Sequence, residues 1–220
     1  MKWAVPAIAL LIVAALVMAV LPKRASWHQK LTLHIETPDG PVTASNVVEV
    51  TFKGRLKVMD WMDGNRFLLR GEAVTADLGG RPLFALLGGR ETLVWRTLGY
   101  FDRHTQPYDT AYRQIKQQAE PLAVPRKYWP QLVTFADVSD AKSVQAVDPD
   151  DLAATFGAGY ALTRIEVQVT REPVTEGPVE GMLGWLSEFP ELKLCKPDGR
   201  TTNIPLCMRV EHSSFLKRLN

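Results

Sequence analysis

KLTLHIETPDGPVTASNVVEVTFK, residues 30 to 53, is the stretch that decides the fold. Every second residue of each half is apolar: Leu31, Leu33 and Ile35 before the central Pro-Asp-Gly, and Val48, Val50 and Phe52 after it. Period-two alternation of this length is typical of half-buried strands, and Pro-Asp-Gly is typical of a tight turn. The stretch therefore predicts an antiparallel β-hairpin with one face in a core.

Strand patterns continue on the carboxyl-terminal side of this hairpin. Residues 66–98 predict a meander with turns at Gly79-Gly80 and Gly88-Gly89, and two further strands are predicted within residues 131–137 and 160–175. In the last of these, one phase slip interrupts the alternation. Strands separated by short glycine-rich turns favour antiparallel sheets, so we expect a sandwich or an open barrel.

Helices are predicted to be few and short. Residues 108–121 form one candidate, with Asp109 at its N-cap and Pro121 at its end. Residues 147–159 form a second, with Asp148 at the N-cap and Pro149 at the first helical position, and residues 177–190 form a third. The fold class we predict is α+β, mainly antiparallel β with a few short helices. One amino-terminal transmembrane helix would precede it.

The amino-terminal segment predicts that transmembrane helix. Residues 3–21 are apolar without a charge, a length that as a helix spans about 28 Å, close to the hydrocarbon thickness of a bilayer. A signal peptide cleaved after Ala19 is the alternative, but its Val-Met-Ala site is weak. We therefore expect residues 1–27 to be an uncleaved membrane anchor that contacts the lipid bilayer through residues 3–21. Residues 28–220 would form a single β-rich globular domain.

Two features of the sequence give opposite indications of the side of the membrane on which this domain lies. Lys23, Arg24 and Lys30 follow the apolar run, and a positive-inside count favours the cytoplasm. Cys195 and Cys207 favour the opposite side, because they flank a Pro-Asp-Gly turn in a predicted carboxyl-terminal hairpin at residues 191–211 and form a disulfide candidate. Two buried free thiols are the alternative. We expect a single-pass protein of a bacterial inner membrane with a periplasmic domain.

No set of residues predicts a catalytic, cofactor or metal site. The four histidines lack metal-ligand spacing, and the Asp148, Asp150 and Asp151 group has Leu152 where a calcium loop needs an oxygen ligand. The paired glycines match no phosphate-binding motif. Glu176 and Glu180 could act as an acid–base pair, but Glu180 at the third position of a helix is the simpler explanation. Catalytic residues therefore stay unknown. With 26 basic and 24 acidic side chains and no basic tract, nucleic-acid binding is not indicated.

Residues 147–180, VDPDDLAATFGAGYALTRIEVQVTREPVTEGPVE, resemble segments of uncharacterised bacterial membrane-anchored proteins. This resemblance implies no function and no site residues. With an anchor and a core but no catalytic motif, we expect a non-enzymatic envelope protein that acts in binding or assembly, with a protein or a small ligand as partner. The alternatives are an envelope enzyme, for example a hydrolase, whose site residues are dispersed in sequence, and an accessory subunit of a membrane complex.

Overall fold

The computed structural model describes residues 24–53, 66–100, 108–188, 194–195 and 206–218. The predicted membrane helix at residues 3–21 lies outside these ranges. Within them, no helix is both long enough and apolar enough to cross a bilayer.

Ten strands are found in the described ranges, and they form two antiparallel sheets. In chain order they are β1 (Arg24–Glu36), β2 (Val42–Lys53), β3 (Arg66–Glu72), β4 (Val74–Asp77), β5 (Pro82–Ala85), β6 (Leu122–Ala123), β7 (Leu132–Phe135), β8 (Val144–Val147), β9 (Ala161–Thr170) and β10 (Leu216–Lys217). The first sheet has the order β10-β3-β2-β1-β9-β6, and the second has the order β4-β5-β7-β8. The prediction of an α+β fold with mainly antiparallel strands is confirmed.

The hairpin predicted from residues 30–53 is the centre of the first sheet. β1 and β2 pair without interruption from Arg24 opposite Lys53 to Ile35 opposite Val42, and the turn between them closes where Gly40 N–H donates to Thr37 O at 3.0 Å. β1 begins at Arg24, four residues before the domain boundary that we predicted at residue 28. The ladder of β1 with β9 has a register shift at residues 34 and 35, which accounts for the phase slip in the sequence.

Six short helices connect the strands in the described ranges. They are α1 (Leu93–Thr97), α2 (Tyr108–Gln117), α3 (Ala153–Phe156), α4 (Pro178–Met182), α5 (Leu206–Arg209) and α6 (His212–Phe215). Three-residue 3-10 turns at Arg90–Thr92, Arg126–Tyr128 and Ala141–Ser143, and a five-residue one at Gly184–Glu188, complete the connections. α2 and α4 lie within the helices predicted from residues 108–121 and 177–190.

Three local predictions differ from the structure. The last arm of the predicted meander is the 3-10 turn at Arg90–Thr92 followed by α1, because the short apolar run in α1 fits a buried helix as well as a buried strand. The helix predicted from Asp148 begins only with α3. The second arm of the predicted 191–211 hairpin contains α5, although Cys195 N–H still donates to Cys207 O at 3.2 Å. Most of the first arm and the turn lie outside the described residues.

Apolar side chains form two clusters, one on each face of the second sheet. The first cluster lies between the sheets and includes Leu31 and Val48 of the first sheet and Leu83 and Leu132 of the second. The second cluster packs the opposite face of the second sheet against α4 and the carboxyl-terminal helices. All four residues of β7 are buried, as expected of a strand that is covered on both faces.

Candidate functional site

Four polar side chains are buried inside the first sheet and beside it: Gln29, Asn46, Glu72 and Arg90. They form one hydrogen-bonded chain, which we call the buried network. Gln29 Nε2 donates to Arg90 O at 2.6 Å, and Arg90 Nη1 donates to Asn46 Oδ1 at 2.8 Å. Asn46 Nδ2 in turn donates to Glu72 O. The network therefore joins β1, β2 and the end of β3 to the turn that follows β5.

Local backbone geometry brings Glu72 into this network. β3 pairs with β2 only as far as Arg70 opposite Glu49, and at Gly71 it pairs with β10 instead. Gly71 has φ +135°, and a Cβ there would lie 2.8 Å from Val48 Cγ1, so this close crossing requires glycine. The next residue, Glu72, is 1% exposed. The separation of β3 from β2 at this point thus places a carboxylate in the interior.

The carboxylate of Glu72 binds the first N–H groups of α4. Gly177 N–H donates to Oε1 at 2.5 Å, and Val179 N–H donates to Oε2 at 2.9 Å. The first N–H groups of a helix have no partner within the helix, and a negative charge there is favourable. Both oxygens of Glu72 are therefore used to hold the start of α4 against the end of β3.

Arg90 carries the positive charge of the buried network. Its side chain is fully buried, and this burial lowers the pKa of Arg90 to about 9. Nη1 is hydrogen-bonded, whereas Nε and Nη2 have no hydrogen-bond partner among the described residues. Because all four network side chains are buried, a substrate in solution does not reach them in this conformation. The contacts that they make connect elements of the fold to one another.

The outer face of the first sheet is polar, and residues 171–177 run across it. We call these residues the crossing segment. Its first contacts are with β1, where His28 Nδ1 lies 2.6 Å from Glu172 O and Lys30 Nζ lies 3.0 Å from the Glu172 carboxylate. Lys30 is thereby neutralised by a residue that follows β9.

The crossing segment next contacts β2 and β3. Thr175 N–H donates to Val47 O at 2.9 Å, and Val47 N–H donates to Thr175 Oγ1 at 2.9 Å, so the segment pairs with β2 beyond the point where β3 has departed. Glu176 accepts from Arg70 Nη1 at 2.9 Å. The crossing segment then leads into α4, whose first turn Glu72 holds.

The two carboxylates considered for acid–base catalysis have separate partners. Glu176 pairs with Arg70, which also binds Glu49 at 3.0 Å, and Glu180 pairs with Arg218 at 2.6 Å. The two carboxylates therefore bind different arginines, and Arg70 is shared between Glu176 and Glu49. This arrangement favours structural roles for both residues.

The aspartate group near α3 is also bound locally. Asp148 Oδ1 accepts from Asp150 N–H at 2.9 Å, whereas Asp151 Oδ1 accepts from Ala154 N–H at 3.0 Å. Asp151 therefore caps the helix, and the prediction that Asp148 does so is wrong, because the chain turns once before the helix begins. Asp150 makes two hydrogen bonds with Arg126, at 2.8 and 2.5 Å, and these bonds lower the pKa of Asp150.

The histidines lie apart from one another in the described residues. His34 Nε2 contacts Glu166 Oε2 at 2.8 Å on the outer face of the first sheet. His212 lies in α6, where partial burial lowers its pKa. His104 lies outside the described ranges. Within those ranges, no group of three or more histidine, cysteine, aspartate or glutamate side chains could hold a metal ion.

Cys195 and Cys207, the disulfide candidate, are brought together. Their sulfur atoms are 2.05 Å apart and their Cα atoms 5.4 Å apart. Cys207 belongs to the second apolar cluster, and Cys195 packs against it. The pair therefore connects residue 195 to the part of the core that also contains α4 and the second sheet.

A row of basic residues lies at one end of the first sheet. Arg24 of β1 is opposite Lys53 of β2, and Lys53 is opposite Arg66 of β3. Arg24 and Lys53 are exposed. We call these three register positions the basic row. They lie at the end of the sheet where the chain enters from residues 3–21.

Sequence reasoning missed both the buried network and the basic row. Gln29 occupies a core-facing position between Trp27 and Leu31, which is a weak signal of a buried polar group. Asn46 occupies a similar position in β2, two residues before Val48, whereas Glu72 and Arg90 have no pattern that marks them as buried. The basic row combines residues more than ten positions apart, so only the register reveals it.

Comparison with protein-family models, curated proteins and solved structures finds no match. The functional argument therefore depends on the geometry of this chain.

Proposed function

We propose that this chain is a single-pass, membrane-anchored envelope protein whose β-rich domain acts in binding or assembly and not in catalysis. The observation that carries the proposal is the position of β1. The strand begins at Arg24, three residues after Leu21, the last residue of the bilayer-length apolar run. Three residues span at most about 11 Å, so an inserted anchor would hold this end of the first sheet at the membrane surface.

The cysteine pair supports a periplasmic location. The Cα atoms of Cys195 and Cys207 are 5.4 Å apart, as in disulfides, and disulfides persist in oxidising compartments such as the bacterial periplasm. Two antiparallel sheets with a shared apolar cluster are also what a sandwich requires, and a sandwich is a common architecture of extracytoplasmic binding domains.

The contacts of the acidic residues support binding over catalysis. Glu72 holds α4, Glu176 and Glu180 each bind an arginine, and Asp151 caps α3. Each of these carboxylates has a structural partner that explains its position. These four carboxylates are therefore not the free acidic groups that an enzyme with dispersed site residues would use on a substrate.

Membrane extraction followed by intact-mass measurement and amino-terminal sequencing tests the anchor. We expect residues 3–21 to be retained and the protein to stay with the membrane after osmotic shock. A soluble mature chain that starts at Val20 would overturn the anchor.

Non-reducing peptide mapping of freshly isolated protein tests the compartment. We expect the peptides that contain Cys195 and Cys207 to be linked, with alkylation of both thiols only after reduction. Free thiols at both positions would contradict the periplasmic assignment.

Affinity capture from solubilised membranes tests binding or assembly. The tagged full chain should retain a stoichiometric partner that a chain with Cys195→Ser and Cys207→Ser loses together with its fold at the second cluster. Turnover of envelope substrates by purified protein, with no retained partner, would favour the enzyme alternative.

A further inference from the structure

The cations of the first sheet fall into two groups according to their partners. Near the middle of the sheet, Lys30 is paired with Glu172, and Arg70 is paired with Glu49 and Glu176. At the basic row, Arg24 and Lys53 have no ion pair or hydrogen bond from their side chains within the part of the chain that the structure describes. Two cations without an ion pair in the described ranges, Arg24 and Lys53, therefore lie side by side at the end of the sheet from which residues 3–21 depart.

The basic row is unfavourable in isolation. Like charges directly opposite each other on neighbouring strands repel, and the register places Arg24 of β1 directly opposite Lys53 of β2. An external anion at this end of the sheet would remove the repulsion. Because the proposed anchor keeps Arg24 within about 11 Å of the bilayer, the nearest dense source of anions is the layer of phospholipid headgroups.

We propose that Arg24 and Lys53 bind anionic phospholipid headgroups of the leaflet from which the chain emerges, and that this contact orients the domain on the membrane. The inference rests on the proposed anchor at residues 3–21. β1 is 13 residues long, so its far end, next to the turn at residues 37–41, then stands roughly 40 Å from the basic row. That turn and the loops beside it face away from the bilayer, toward partners in the envelope.

Lysine footprinting on the full chain in lipid nanodiscs tests the contact. Two sets of discs are used, one of phosphatidylcholine alone and one of phosphatidylcholine mixed with phosphatidylglycerol, and amines are acylated and quantified by mass spectrometry. Lys53 reports on the basic row, and Lys142, which is exposed in the loop before β8, serves as the internal reference. We expect acylation of Lys53 to slow about fivefold in the anionic discs and to recover at high salt, with Lys142 unchanged.

Two variants make the test specific. Arg24→Gln removes one cation of the row and should reduce the protection of Lys53 about fivefold. Arg164→Gln is the matched control, because Arg164 is exposed on β9 opposite His34, near the other end of the same sheet. It should leave the protection of Lys53 unchanged.

The outcomes separate this inference from the proposed anchor. The headgroup contact is wrong if the chain incorporates into both sets of discs and Lys53 reacts equally in them. It is also wrong if both variants lower the protection of Lys53 to the same extent. In either case the anchor stands. If the chain incorporates into neither set of discs, the anchor fails and the inference fails with it. Protection of Lys53 in anionic discs alone, weakened by Arg24→Gln alone, supports the contact.

Discussion

Replacing Glu72 by alanine should be among the most damaging single changes in the chain. The substitution leaves the N–H groups of Gly177 and Val179 without the carboxylate that now accepts from them at 2.5 and 2.9 Å. A buried donor that loses its partner costs about 1 to 3 kcal/mol, so two donors together with the lost helix-start charge give roughly 3 to 5 kcal/mol. Glu72→Gln keeps one acceptor oxygen and should cost about 2 kcal/mol.

Chemical denaturation of the full chain in detergent micelles measures these changes in the free energy of unfolding. Glu176→Gln is the matched control, because Glu176 is a carboxylate of the adjoining crossing segment that forms an exposed ion pair with Arg70. An exposed pair contributes at most about 1 kcal/mol. Amide hydrogen exchange in the same samples should show faster exchange across α4 in Glu72→Ala than in the control.

Two results would refute this reasoning. One is a cost for Glu72→Ala within about 1 kcal/mol of that for Glu176→Gln, which would mean that the two N–H groups find other partners at little cost. The other is a large loss of stability with unchanged exchange in α4. In that case, the loss would come from the cavity that the side chain leaves in the interior, and not from its hydrogen bonds to α4.

Three further predictions follow from the same geometry. Asp151→Ala should cost about 1 kcal/mol and Asp148→Ala only a few tenths, and thermal melts that reverse this order would restore Asp148 as the cap. Gly71→Ala should cost roughly 2 kcal/mol, because alanine is strained at φ +135° and its Cβ meets β2; an unchanged denaturation midpoint would contradict the close crossing. Since burial lowers the pKa of Arg90 to about 9, the folded chain binds fewer protons than the unfolded chain above that pH. The stability of the wild type relative to Arg90→Met should therefore rise by about 1 kcal/mol between pH 8 and pH 10, and parallel curves would disprove the shift.

The strands of the first sheet could be predicted from the sequence because one of their faces is buried and the other is polar. Alternation around Pro38-Asp39-Gly40 predicted β1, β2 and the turn between them, and the phase slip noted in β9 coincides with the register shift opposite His34 and Ile35. The pattern is readable because the core covers one face only.

The predictions failed where short-range signals compete. In α1 the residues Leu93, Val94 and Trp95 are consecutive and buried, and so brief an apolar run does not distinguish a strand from a helix. Near α3, three aspartates within four residues each fit the requirements of an N-cap. In the structure Asp148 accepts from Asp150 N–H within a turn before the helix, so the first N–H groups of α3 are reached by Asp151 instead.

The candidate sites could not be predicted, because each depends on the register or on a crossing of strands. A glutamate after glycine in a predicted strand gives no sign that its carboxylate will bind a helix that begins more than one hundred residues later. Lys53 and Arg66 are ordinary charged residues at strand ends until the ladder places them opposite each other.

The buried network and the basic row lie at opposite ends of the same strand, β3. β3 pairs with β2 over five residues, from Arg70 opposite Glu49 to Arg66 opposite Lys53, and the last pair sets one cation beside another. Beyond Gly71 this ladder ends, and Glu72 is held by Asn46 and by the first turn of α4. One end of β3 is therefore secured by hydrogen bonds in the interior, where salt and lipids do not reach, while the other end, opposite Lys53, is the end that the proposed headgroup contact would place at the membrane. It follows that the interior contacts must be sufficient to keep β3 in the sheet before the domain meets a membrane, and that headgroup binding would add to the order of the membrane-facing end alone.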